Sequence, residues 1–166
     1  MQKVRDNFQV ASVIVLLETS TNSIILTKRT NQLPHHAGEI CFPGGRFQDE
    51  DSTLLNTGLR ELEEELGIQR ERLQNIKSLS PEITLTGFQI YPWFASIATI
   101  NPYKLQREEV DEIIQIDVNL ALKRNNYQSI LVPRNGYTIK TLKFSYKEHI
   151  IWGATARIMR QLCETD

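Results

Sequence analysis

Residues 52–66 carry the pattern that most constrains this chain of 166 residues. Four leucines there recur at spacings of four, three and four, so they share one stripe of an α-helix. They are Leu55, Leu59, Leu62 and Leu66. Gly67 follows at the position where helices commonly end. The pattern therefore predicts an amphipathic helix over residues 52–66 that stops at Gly67.

Glutamates on the same helix form a second pattern. On a helical wheel of about 100° per residue, Glu61, Glu64 and Glu65 face away from the leucines, whereas Glu63 falls beside them. Glu61 stands three and four positions before the other two, which brings the side chains together. Like charges at this spacing destabilise a helix by about 0.2–0.5 kcal/mol. Two explanations stay open: a solvated charged face, or an oxygen cluster that binds Mg²⁺ or Mn²⁺.

Composition limits the class of protein. The net charge is −1, which excludes a strongly basic nucleic-acid binder, although residues 46–65 alone carry a net charge of −5. No apolar run reaches the roughly 18–20 residues of a membrane span, and the first ten residues lack a secretory signal. Cys41 and Cys163 form no C-x-x-C motif, which favours a reduced, cytoplasmic protein. We expect one domain over residues 1–166.

Apolar and β-prone runs alternate with few helical segments. Strands are predicted at residues 8–17, 24–29, 39–42, 82–88, 90–99, 109–116, 127–132, 137–144 and 148–152. Short helices are predicted at residues 117–124 and 153–163, and Pro43-Gly44-Gly45 is expected to break the chain. Strands surrounding two or three helices indicate an α+β fold rather than a doubly wound parallel sheet.

The segment from Gly45 to Ile68 resembles the Nudix box, G-x5-E-x7-R-E-U-x-E-E-x-G-U, where U is aliphatic. Its second half matches in register at Arg60, Glu61, Leu62, Glu64, Glu65, Gly67 and Ile68. The first half departs from the pattern: Asp51 stands where glutamate is usual, and the interval from Asp51 to Arg60 is one residue longer. The resemblance implies a Nudix-like α/β/α sandwich with a mixed sheet between helices.

Further matches resemble the signature of one Nudix subfamily, the coenzyme A pyrophosphatases: L-L-T-x-R-S-x3-R-x3-G-x3-F-P-G-G. The matching residues are Leu26, Thr27, Arg29, Gly38, Phe42, Pro43, Gly44 and Gly45. The longer box and the ending at residues 148–159 also look like that subfamily. Thr30 replaces the serine of the signature, and Pro34 stands at its second arginine.

The resemblance implies roles for particular residues. It makes Glu61 and Glu65 the first-choice ligands of Mg²⁺ or Mn²⁺ and Glu64 the next, with a backbone carbonyl of Gly44 or Gly45 as a further ligand. It makes Arg60 the residue that orients these carboxylates. A further catalytic acid is expected from a later loop, with Glu109 as first choice and Glu112 as second. Arg29, Thr30, Gly44 and Gly45 are expected to contact the substrate, and Lys28 either meets phosphate or alternates outward.

The implied activity is hydrolysis of the diphosphate of coenzyme A or its thioesters, giving 3′,5′-ADP and 4′-phosphopantetheine. Pro34 keeps a second activity open, in which the substrate is ADP-ribose, a nucleotide sugar or another nucleoside diphosphate derivative. A non-catalytic binding module is the third hypothesis, although such a module would be expected to lose carboxylates from the box. The expected partner is a small nucleotide, not a nucleic acid or a membrane, and the protein is expected to be a monomer or a homodimer.

Overall fold

The computed structural model describes residues 9–164, which form eleven strands and three α-helices. The strands are β1 (Gln9–Glu18), β2 (Ser23–Arg29), β3 (Ile40–Cys41), β4 (Gly44–Arg46), β5 (Gln74–Ser78), β6 (Glu82–Ile83), β7 (Phe88–Ile97), β8 (Val110–Asp117), β9 (Tyr127–Arg134), β10 (Tyr137–Tyr146) and β11 (His149–Trp152). The helices are α1 (Leu54–Leu66), α2 (Val118–Ala121) and α3 (Gly153–Gln161). Phe8, the predicted start of the first strand, lies outside the described residues. Across residues 9–164, no helix combines the length and the apolar character needed to cross a membrane.

The larger sheet is mixed, and β1 lies at its centre. Its main order is β3-β2-β1-β7-β5, with β4 paired to β1, β6 to β7 and β8 to β2. β1 and β7 run parallel over their whole length, from Gln9 opposite Phe88 to Glu18 opposite Ile97. The other pairs in this sheet are antiparallel. β4 and β2 share one edge of β1, so the β4 glycines lie directly beside the central strand.

Two apolar layers cover the faces of this sheet, as the alternation along β1 requires. Ile14 and Leu16 pack with the leucine stripe of α1 on one face. Val13 and Val15 pack on the other face with α3 and with a second, antiparallel sheet of order β11-β10-β9. The predicted α+β class and the mixed sheet between helical layers are therefore confirmed. The second layer contains a three-stranded sheet as well as a helix.

The ends of α1 follow ordinary capping chemistry. The Thr53 hydroxyl accepts a hydrogen bond from the Asn56 amide at 3.1 Å, which satisfies a free N–H of the first turn. Gly67 adopts a left-handed conformation with φ of 66° and donates its amide to the Glu63 carbonyl. Leu62 and Leu66 are fully buried. The predicted helix is confirmed, with its start two residues later than expected.

Two local predictions were wrong, and one strand was missed. β5 was not predicted, because its sequence QNIKS is polar and only Ile76 is partly buried on this edge strand. The strand expected at residues 82–88 is only β6, followed by a turn in which Gly87 takes a positive φ of 87°. β4 forms where a chain break was expected, since Gly44 and Gly45 pair with Val13 and Ser12.

Candidate metal centre and substrate cleft

Three carboxylates converge at one end of α1. Glu61, Glu65 and Glu109 each place an oxygen within 4.8 Å of the others. Glu61 and Glu65 lie one helical turn apart, whereas Glu109 comes from the loop just before β8. The structure thus brings the loop acid of first choice to the two helix glutamates. An arrangement of three oxygen donors suits a hard divalent cation.

The two glycines of β4 make room on different sides of the strand. A Cβ at Gly44 would overlap the backbone of β1, and a Cβ at Gly45 would overlap the carboxylate of Glu61 and displace it. The backbone of Gly44 hydrogen-bonds the Glu65 carboxylate. The strand therefore leaves space for the Glu61 carboxylate and holds that of Glu65. The role of the Gly45 carbonyl as a metal ligand stays a prediction.

Backbone hydrogen bonds hold the Glu109 loop against the same helix. The Gln106 amide donates to the Glu65 carbonyl at 3.0 Å, and the Glu109 amide donates back to the Gln106 carbonyl at 2.9 Å. On the other side, the Thr30 amide donates to the Glu109 carbonyl at 3.0 Å. These bonds explain how a residue far along the chain reaches the cluster.

The cluster concentrates negative charge in a buried place. Glu65 is only 3% exposed, and burial together with the charge of Glu61 raises its pKa to about 8. Burial also raises the pKa of Glu61. The Oε2 atom of Glu65 is buried and has no hydrogen-bond partner among the described residues. An unsatisfied buried carboxylate oxygen beside two other carboxylates fits a divalent cation, whose charge would offset this cost.

Asp51 and Arg60 form the structural support of the cluster. Arg60 donates from Nε to Asp51 Oδ1 at 2.6 Å, and from Nη1 to Glu61 Oε1 at 2.8 Å. Asp51 also accepts from the Thr57 hydroxyl and the Gln48 amide. The hydrogen bond from Arg60 holds the pKa of Asp51 well below its usual range. Arg60 therefore links a buried anchor to a carboxylate of the cluster.

The extra residue of the box lies between that anchor and the helix. Asp51 ends a short 3-10 turn, Ser52 follows with a φ of 62°, and Thr53 then caps α1. From this position Asp51, which stands where the pattern has glutamate, accepts two hydrogen bonds from Arg60.

Other predicted residues lie away from the cluster. Glu64 is not brought into it: its side chain is 57% exposed and accepts from Arg60 at 3.1 Å. Glu112 pairs with Lys28 at 3.3 Å. Thr30 is buried and accepts from the Gln32 amide. The ligand role of Glu64 and the substrate role of Thr30 stay predictions.

A cleft of about 570 Å³ extends from the cluster. Glu61, Glu109, Gly44 and Gly45 line it together with Arg29, whose buried Nε has no hydrogen-bond partner among the described residues. The cleft therefore joins the acidic cluster to a cation, as a phosphate site requires.

Sequence reasoning missed part of this wall. Arg46, Phe88 and Trp152 line the cleft without having been selected as site residues, and Trp152 is 38% exposed. The position of Arg46 directly after Gly45 was the available signal. Pro34, His35 and His36 also line the cleft, so the loop with the altered signature faces the site.

The close contact at Gly45 leads to a first prediction. Gly45→Ala should weaken Mn²⁺ binding by about 10- to 100-fold, the range for disturbing a residue that orients a metal ligand, because the new methyl group displaces the Glu61 carboxylate. Titration calorimetry would measure this. Gly136→Ala, at a glycine with open space around it and a φ of 81° that strains alanine, controls for general strain at a glycine. Unchanged Mn²⁺ affinity in Gly45→Ala would contradict the geometry.

Comparison with known proteins gives a consistent result. A NUDIX domain model matches residues 7–132. Nudix hydrolase NudL of Cronobacter sakazakii, itself described as uncharacterized, is 32% identical over 154 residues, which cover 93% of this chain and 80% of NudL.

Two solved structures share the fold. A C. elegans Ap4A hydrolase superposes with a TM-score of 0.54 at 18% identity, covering 68% of this chain and 83% of that one. The NUDIX domain of Shewanella oneidensis NrtR, determined with ADP ribose, superposes with a TM-score of 0.53 at 20% identity, covering 70% and 77%. The NUDIX domain model matches most of this chain, and the box residues Glu61 and Glu65 of α1 lie in one carboxylate cluster. This chain therefore belongs to the Nudix hydrolase family.

Proposed function

We propose that this protein hydrolyses the diphosphate linkage of coenzyme A or its thioesters in a metal-dependent reaction that gives 3′,5′-ADP and the corresponding 4′-phosphopantetheine. The observation that carries the hydrolytic part is the cluster of Glu61, Glu65 and Glu109 at a cleft that also holds Arg29. The coenzyme A part rests on the signature that runs from Leu26 to Gly45, whose loop lines the same cleft.

Each residue of the site has a defined task in this proposal. Glu61, Glu65 and Glu109 hold the divalent cation, Mg²⁺ or Mn²⁺, and Arg60 orients Glu61 while anchored on Asp51. Nudix hydrolases generally use divalent metal ions, and a bound cation supplies charge neutralisation at phosphorus and a more acidic water. Arg29 offers the cationic contact to a phosphate oxygen.

The proposed cellular setting is the cytoplasm. Both cysteines are free, which agrees with a reduced cytoplasmic compartment. The expectation of a monomer or homodimer stays a prediction.

One specific observation favours a second substrate. Pro34 lines the cleft where the subfamily signature has arginine, so this site has one cation fewer for the 3′-phosphate of coenzyme A. The related NrtR domain was crystallised with ADP ribose, a diphosphate without that group. ADP-ribose hydrolysis is therefore the alternative activity.

A substrate screen separates these activities. Coenzyme A, acetyl-coenzyme A, ADP-ribose, NADH and nucleotide sugars would be incubated with Mg²⁺ or Mn²⁺, and products identified by mass spectrometry. The proposal expects the highest kcat/KM with a coenzyme A form. A higher kcat/KM for ADP-ribose or a nucleotide sugar would overturn the coenzyme A assignment, and full activity in excess chelator would overturn the metal assignment.

The altered loop gives a second prediction. Pro34→Arg should lower KM for coenzyme A more than for dephospho-coenzyme A, because the added guanidinium can bind the 3′-phosphate. We expect KM for coenzyme A to fall by about 10-fold, which corresponds to the lower limit of about 1.5 kcal/mol for a charge-assisted hydrogen bond. KM values for both substrates measure it, and Pro34→Gln controls for loss of the proline. Equal effects on both substrates would contradict a 3′-phosphate contact.

A further inference from the structure

Two side chains stack across the central strand at the cleft. The Arg46 guanidinium carbon lies 5.0 Å from the centre of the Phe88 ring. Arg46, on β4, lies opposite Ala11 of β1, and Phe88, on β7, lies opposite Gln9 on the other edge of β1. Both side chains and Ala11 line the cleft. The small Ala11 side chain leaves room for Arg46 to reach over β1 to the ring.

This pair differs from the other cation–ring contacts among residues 9–164. Lys77 over Phe94 and Lys147 over Tyr146 have similar distances, yet none of those four residues lines the cleft. The side chain of Arg46 has no ion pair and no hydrogen bond within the described part of the chain. An exposed arginine plane beside a half-buried ring is therefore available to a ligand.

The pair is also tied to the metal centre. The Arg46 carbonyl accepts from Arg60 Nη2 at 3.2 Å, and the Nη1 atom of the same guanidinium donates to Glu61. Arg46 directly follows Gly45, whose missing side chain makes room for the Glu61 carboxylate. A planar group stacked at Arg46 and Phe88 would thus lie beside the position where a diphosphate meets the cluster.

We propose that Arg46 and Phe88 form the platform on which the adenine of the substrate stacks. Nucleobases stack on aromatic rings and on arginine planes, and this contact adds affinity without base-specific hydrogen bonds. The inference rests on the proposed function for its substrate, and it fixes the orientation: the nucleoside half occupies the end of the cleft at β4 and β7. The group on the other side of the diphosphate takes the remainder of the cleft.

The test compares two ligands that differ only by the base. AMP and ribose 5-phosphate share the sugar and the phosphate, and neither contains a diphosphate to hydrolyse. Their affinities for the full chain, measured by titration calorimetry in the presence of Mn²⁺, isolate the contribution of adenine. We expect the wild type to bind AMP more tightly than ribose 5-phosphate.

Phe88→Leu should weaken AMP binding by about 5- to 30-fold, the lower part of the range for losing one base–aromatic stack, and change ribose 5-phosphate binding less than about twofold. Phe88→Trp should keep the AMP affinity, which shows that the ring and not the residue is required. Arg46→Gln tests the other half of the platform at an exposed position. It should weaken the binding of AMP more than that of ribose 5-phosphate. Lys77→Gln is its matched control, because Lys77 also lies over a ring but away from the cleft, and it should change neither ligand.

Three results would overturn the platform. In the first, Phe88→Leu lowers the affinities for AMP and ribose 5-phosphate equally. In the second, it changes neither affinity. In the third, it lowers the affinity for 4′-phosphopantetheine and leaves that for AMP unchanged. The outcome is distinguishable from failure of the proposed function. If ADP-ribose proved the best substrate while the AMP effect held, the platform would stand and the coenzyme A assignment would fall.

Discussion

Glu65→Gln should abolish nearly all metal-dependent turnover while leaving the fold intact. Loss of a residue that merely supports a metal ligand costs about 10- to 100-fold, so loss of a ligand should lower kcat by more than about 100-fold. The substitution removes the charge of a carboxylate that is 3% exposed and lies within 4.8 Å of two others. Calorimetry should show a matching loss of Mn²⁺ affinity in the absence of substrate, a readout independent of turnover.

The fold should tolerate this change for an electrostatic reason. Burial and Glu61 raise the pKa of Glu65 to about 8, so the metal-free protein near pH 7 holds this side chain mostly protonated. Glutamine resembles that neutral form in size and charge, and the thermal midpoint without metal should shift by no more than a few degrees. Glu63→Gln is the matched control. Glu63 is exposed and lies two residues before Glu65 on the same helix, so this variant should keep full activity. Normal turnover in Glu65→Gln would mean that the cluster is not the catalytic centre.

The comparison of Glu63 with Glu65 shows how far the sequence could lead. Both lie about 70–90° from the centre of the leucine stripe, on opposite sides of it. The periodicity of α1 therefore fixed the stripe but not which flank would meet the sheet. That choice depends on β4, where Gly45 lies beside the Glu61 carboxylate and the backbone of Gly44 hydrogen-bonds Glu65. The wheel grouped Glu65 with Glu61 and Glu64 and set Glu63 apart, and the resemblance to the Nudix box then identified that group as the site.

Glu109 and Glu112 show the same limit. Sequence alone offered an acidic stretch at the entry to β8, with Glu109 ranked first. The structure places Glu112 in an exposed pair with Lys28 and Glu109 in the cluster, because the Gln106 turn is bonded to the Glu65 carbonyl. This bond joins segments distant in sequence, and no local pattern encodes it. Glu64 illustrates the converse: it fits the motif, yet it faces solvent beside Arg60.

The polar edge of the sheet was unpredictable for a different reason. β5 has one half-buried apolar residue in five, so it lacks the alternation that identifies a strand. It exists because β7 offers it a free edge, with Gln74 opposite Ser96 and Ser78 opposite Trp93. Pairing with β7, and not the local propensity of its sequence, therefore makes this segment a strand.

Asp51→Asn should destabilise the protein by about 3 kcal/mol, the lower end of the range for breaking a buried ion pair. Asp51 is 6% exposed, and its Oδ2 accepts from the Thr57 hydroxyl and the Gln48 amide as well as from Arg60. An asparagine there turns one of the two acceptor atoms into a donor, which leaves a buried donor without an acceptor. The lower end applies because Arg60 keeps Glu61 and Glu64 as partners. Chemical denaturation at pH 7 measures the change, and Asp49→Asn, exposed in the same turn, should cost little.

The effect should depend on pH in a defined direction. The hydrogen bond from Arg60 lowers the pKa of Asp51 in the folded protein below its value of about 3.9 in the unfolded chain. A lowered carboxyl pKa contributes stability that is complete above the unfolded value and is lost as the pH falls toward the folded one. The difference in unfolding free energy between wild type and Asp51→Asn should therefore stay constant from pH 7 to about pH 5 and shrink below about pH 4. A difference that grew on acidification would show that Asp51 is not ionised in the folded protein, and that Arg60 is held by Glu61 and Glu64 alone.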